Sequence, residues 1–244
     1  MKFKQSIIPA LALCTMLVPM AVFAAPVTKD GSNFCANIDA ATAKITQKMD
    51  DKTTSYTTKK ATRVAELADR RAARDEARAT KRANGDSKHD TRIDALMNKA
   101  TTDAQRAAVT VFQGKLTEAV TVRRNAIDAA IKAYRAGVDQ LINGKFGTLD
   151  GSVATLTSSI QSAVATAKSS CASGTDSATV MAAFKTSVKS AHDAFKASHT
   201  DASIKADLEA LANTRKAAVQ AAVTQFKTTM DGAKATLKTA FGQQ

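Results

Sequence analysis

Residues 102–144 read TDAQRAAVTVFQGKLTEAVTVRRNAIDAAIKAYRAGVDQLING. Thr102-Asp103-Ala104-Gln105 has the form of a capping box, in which a hydroxyl and an amide three residues apart satisfy each other's backbone N–H and announce a helix. Val109, Phe112, Leu116, Val120, Ile127, Ile131, Tyr134, Val138 and Leu141 then recur at threes and fours, with Arg123 in the one gap. That spacing is the period of a helical apolar face sustained for about ten turns. It predicts a long helix that ends at Asn143-Gly144.

The same pattern returns further on. Arg123-Arg124-Asn125-Ala126-Ile127 aligns without gaps on Arg215-Lys216-Ala217-Ala218-Val219. The register continues through Tyr134 and Phe226, Val138 and Met230, and Asp139 and Asp231, always at an offset of 92 residues. Charge and apolar character both match, and an arginine within the apolar stripe recurs. The chain therefore reads as carrying an internally repeated long helix, 102–143 and 201–241. Two copies do not make a solenoid.

Between these copies, Ser152 to about Ala172 reads as a helix packing through Val153, Leu156, Ile160 and Val164, closed by Ser173-Gly174. Asp176 or Ser177 opens another, with Val180, Phe184, Val188 and Phe195 on its face. Upstream, residues 34–83 contain neither proline nor glycine and read as helix, with the threonine-rich run Thr53–Thr58 as the place for a kink. Asn84-Gly85-Asp86 is read as a stop, followed by a short helix holding Ile93, Leu96 and Met97. The expectation is an all-α fold: an elongated bundle of about four to six helices, several 40–50 residues long, alanine-rich and packed in coiled-coil fashion. Residues 34–101 form a long Arg/Lys-rich helix plus a short one, and 102–244 the helical bundle. Tryptophan is absent and aromatics are 5 %, so the cores are thin.

The first residues read as an address. Lys2 and Lys4 precede an apolar stretch from Ile7 to Phe23 that Pro9 and Pro19 interrupt, and Val22-Phe23-Ala24 offers small residues to a signal peptidase. Cleavage is expected after Ala24, leaving a flexible 25–33 segment and a protein of the periplasm or the extracellular space. Bulky Leu13 before Cys14 argues against a lipid anchor there. Loss of Lys2 and Lys4 takes the formal charge from +13 to +11. No later segment approaches the roughly 18 apolar residues of a membrane span, so no transmembrane insertion is expected after processing. Cys35 and Cys171 remain, and in an oxidising compartment an isolated pair most simply forms one disulfide. Closing so long a loop is worth about 5 kcal/mol in the chain-entropy model.

Catalytic signatures are missing. Neither H-E-x-x-H, G-x-S-x-G, a glycine-rich phosphate loop nor an EF-hand occurs. His89, His192 and His199 have no third ligand placed near them, so no metal and no cofactor is expected. The chain is read as non-enzymatic.

The distinctive segment is Lys59–Arg82, with nine Lys or Arg against four acids. Its stretch after Leu67, ADRRAARDEARATKRA, contains no large apolar residue, and a helix without an apolar stripe is expected to project into solvent. Arg63, Arg70, Arg74 and Arg78, with Lys81 or Arg82 next, fall at sevens and fours on one stripe, and Arg71 adjoins them. Guanidinium groups in a row suit phosphates or carboxylates of a polyanion. The expected partner is an anionic envelope polymer or a partner protein. Nucleic acid is disfavoured because no aromatic is interleaved for stacking. Narrow alanine faces also bury well between chains, which suits a homo-oligomer. As an exported, basic protein with long helical arms, the chain resembles Skp-type chaperones in class. That resemblance implies the alternative function, a periplasmic holdase-type chaperone.

Overall fold

The computed structural model describes residues 32–198 and 202–242. The signal segment, most of the 25–33 stretch and His199 lie outside those residues. A 3-10 turn at Cys35–Asn37 leads into α1 (Ile38–Lys99), followed by α2 (Asp103–Ala172), α3 (Ser177–Ala197) and α4 (Ala202–Ala240). The fold is all-α, as expected. It divides into two compact units, one of residues up to Leu67 with Ile142–Ser203, the other of Ala68–Leu141 with residues from Ile204 on. The boundary expected near residue 102 falls inside the second unit.

The helix starts follow the local chemistry. At α2 the Thr102 hydroxyl accepts the Gln105 N–H at 3.2 Å while Gln105 Oε1 accepts the backbone N–H groups of Thr101 and Thr102 at 2.8 and 3.3 Å. At α3 the Asp176 carboxylate accepts the Thr179 N–H at 2.9 Å. Gly174 takes φ +79° between the two helices, a conformation that costs glycine little.

In the first unit α1 and α2 run antiparallel. Phe34, Ile38, Ala167, Val180 and Met181 form one core cluster, with Cys35, Cys171 and Phe184 packed against it. The Cys35–Cys171 disulfide is formed there and links residues 136 apart. Tyr56, Leu149 and Phe195 form a second cluster with Phe146, Val153 and Leu156. The Cys35 N–H donates to the Ser177 hydroxyl, and the Ser198 hydroxyl donates to that of Ser152, so both ends of α3 are tied down.

Two expected breaks do not occur. Residues 53–58 continue α1 because Tyr56 is buried and donates to Asp150 at 2.7 Å. The stop expected at Asn143–Gly151 is likewise helix, since Leu149 is almost fully buried and the Thr148 and Thr155 hydroxyls bond the carbonyls of Gly144 and Gly151. Here tertiary burial outweighs the low helix propensity of glycine.

In the second unit α2 and α4 pair antiparallel along their repeated faces. Val120, Val138, Ala222 and Met230 are buried. The Arg123 guanidinium lies 4.0 Å from the Phe226 ring centre, and Arg215 lies 4.2 Å from that of Tyr134. The two stacks exchange under the 92-residue offset, so the helix pair has a local two-fold relationship. Gly137 breaks it. A Cβ there would stand 2.6 Å from Leu211 Cδ2, so only glycine lets Leu211 close in.

Candidate functional site

From Ala68 to Arg92 the sequence of α1 contains no large apolar residue, yet this part of the helix packs against α2. What holds it is charge. Arg71 grips Asp139 with two bonds of 2.7 and 3.0 Å, and Arg135 reaches back to Asp75 with bonds of 2.6 and 2.8 Å. Arg82 forks onto Asp128 at 2.8 and 2.9 Å, and Arg78 shares that carboxylate at 3.3 Å while also holding Asp75. Arg124 closes the series on Asp86 at 2.6 and 3.0 Å and also donates to the Arg82 carbonyl. Steps of four, seven and four along α1 (71, 75, 82, 86) are answered by the same steps backwards along α2 (139, 135, 128, 124), as antiparallel helices in register require.

The last rung explains a third expected break that does not occur. Asn84-Gly85-Asp86 stays helical because Arg124 holds both the Asp86 carboxylate and a carbonyl one turn earlier. The expectation that this helix projects freely is overturned for the same reason: its missing apolar stripe is replaced by forked ion pairs. The signal was present, since acids and arginines at matched spacings occur in both 71–86 and 124–139.

The ladder lines a groove of about 710 Å³ between α1 and α2. Arg135, Arg124 and Arg82 hydrogen-bond the carboxyls of Asp75, Asp86 and Asp128 respectively, and hold each below its ordinary value. Carboxylates fixed as paired anions are poor proton donors.

The candidate basic residues are thereby sorted. Arg71, Arg78 and Arg82 are half-buried and spent on α2. Arg63 sits half-buried in the first unit, and both it and Arg70 have partners. Arg74 and Lys81 are exposed and make no ion pair among the described residues. At 100° per residue they lie roughly a quarter-turn from the rungs.

Elsewhere, Asp150 in the first unit accepts from Tyr56 and pairs with Lys60 at 2.6 Å, and Lys60 also lies over the Phe146 ring. His192 is buried on α3. Among the described residues no group of three His, Cys, Asp or Glu could hold a metal, and no helix is long and apolar enough to cross a membrane. No protein-family model matches the chain, and no curated protein or solved structure matches it.

Proposed function

We propose that this chain is an exported, non-enzymatic interaction protein of the cell envelope or extracellular space that holds an anionic polymer through α1. The carrying observation is the sorting of charge on that helix. One row of arginines pairs with Asp128 and Asp139 of α2, and Arg74 and Lys81 are left facing solvent. The second unit holds 21 Lys and Arg against 13 Asp and Glu, so its field favours anions at long range. A disulfide suits an oxidising compartment and supports export.

A holdase-type chaperone needs apolar surface for its clients. Among the described residues the exposed large hydrophobics are single valines, Val64, Val111 and Val122. That favours the polyanion reading.

Two paired variants test it on isolated envelopes of the producing cell. Arg74→Gln/Lys81→Gln should lose retention at low salt while its unfolding curve stays that of the wild type. Arg78→Gln/Arg82→Gln should lose stability instead, because it strips Asp128 of both its arginines. Equal retention of wild type and the first variant at every salt concentration would sink the proposal.

A further inference from the structure

The exposed row does not stop at Lys81. Lys88, Arg92 and Lys99 follow at steps of seven, four and seven, so Arg74, Lys81, Lys88, Arg92 and Lys99 fall within about 40° of one another around α1. All five are exposed and none forms an ion pair among the described residues. At 1.5 Å per residue the row is about 37 Å long, with gaps of about 6 to 10 Å. The nearest flanking positions are Ala77, Asn84, Gly85 and Ala95, with the paired Arg78 and the half-buried Leu96 on the edge towards α2. The exposed acids Asp69, Glu76, Asp90 and Asp94 lie roughly half a turn away, and Asp75 and Asp86 are tied to α2. This face of α1 is thus a cationic track with no acid of the helix beside it.

We infer that this track is the docking surface for one extended strand of an acidic polysaccharide, lying along the α1 axis. The inference rests on the polyanion reading above and gives it a site and an occupant. The flanks decide between partners. A helix that settles into a membrane carries a band of bulky apolar groups beside its basic ones, and here the half-buried Leu96 stands alone among alanine, asparagine and glycine. Single-stranded nucleic acid gains much of its affinity from stacking on aromatic rings, and none lies on this face. A second copy of the chain would need apolar area to bury, which Ala73, Ala77, Thr80 and Asn84 do not provide. A sugar strand with a carboxylate on alternate residues needs only cations in a row at comparable intervals. Simultaneous engagement makes each further contact effectively intramolecular, so affinity depends on length up to the length of the track.

The test uses the full chain and hyaluronan fragments of defined length, with polyphosphate and phosphatidylglycerol-containing vesicles as separate arms. Affinity should rise with fragment length and level off once a fragment spans the track. Replacing Arg74, Lys81, Lys88, Arg92 and Lys99 by Gln should weaken binding at low salt at least tenfold without shifting the thermal transition. A control removing Lys216, Lys227 and Lys238 from α4 should change it less than threefold. Affinity independent of fragment length, or equal loss in the α4 control, would overturn the track. Polyphosphate or vesicles bound through the row while hyaluronan is not would overturn the occupant and leave the polyanion function standing. Failure to bind any of the three probes, or envelopes, would overturn both.

Discussion

The guanidinium of Arg215 lies over the ring of Tyr134, and the residues that match them in the repeat, Arg123 and Phe226, make the same contact with the helices exchanged. A charged residue in an apolar stripe is costly unless something replaces its water, and an aromatic face does so electrostatically. Burial first, then the neighbouring Arg124 and Arg82, lower the pKa of Arg123, which nonetheless stays a cation.

A double-mutant cycle on Arg123 and Phe226 is expected to give a coupling of about 0.5–2 kcal/mol. The cycle on Arg215 and Tyr134 should match it. Crossed cycles, Arg123 with Tyr134, should give nearly none. Urea unfolding reads all three.

Gly137 and Gly114 sit in the same helix and should answer oppositely. A Cβ at 114 meets nothing within 4 Å, so Gly114→Ala should stabilise by roughly 0.5–1 kcal/mol through helix propensity. At 137 the new methyl meets Leu211 Cδ2 at 2.6 Å and Cδ1 at 2.9 Å. Gly137→Ala should forfeit the gain, and Gly137→Val should cost about 1–3 kcal/mol by overpacking.

The ladder makes stability depend on acid and on salt. Asp75, Asp86 and Asp128 titrate below the ordinary 3.8 in the fold, so their contribution is complete above 3.8 and is lost as pH falls from there through their lower folded values. Asp128→Asn, which leaves Arg78 and Arg82 without their shared carboxylate, should cost roughly 0.5–1 kcal/mol at low salt, since the pairs are half-exposed. In high salt the cost should nearly vanish. Chemical denaturation at two salt concentrations checks both statements.

His192 acts at a higher pH. Only 4 % of it is exposed. Burial first, and Lys196 next, hold its pKa below 6.5, with Asp193 pulling the other way. The unfolded chain therefore binds this proton more readily than the folded one. Stability from this residue is full above 6.5 and declines as pH falls below it. His192→Leu should flatten that decline, measured as the urea midpoint against pH.

Much of the fold was legible because it was written in period and caps. The capping box at Thr102, the cap at Asp176 and the repeated face with its arginines all lie where spacing places them. Glycine misled the reading at Gly85 and at Gly144–Gly151. A break signal states only a local cost, and partners distant in sequence, Arg124 for Asp86 and Tyr56 for Asp150, offset it. The candidate site was half legible for a related reason. Residue types mark arginines as basic but not which of them face an acid. Arg71, Arg78 and Arg82 differ from Arg74 and Lys81 only in phase around the helix, and phase acquires meaning once the neighbour is known.

Ordinary helix hairpins are sealed by oil, and prising them apart shows water what it avoids. Residues 68–92 are joined to α2 by forked arginines instead. Between them lie charge and alanine, with Ile131 the one large apolar side chain lining the groove. Charge pairs answer to acid and to salt as apolar contacts do not, so pH and ionic strength set how firmly this length of α1 is held.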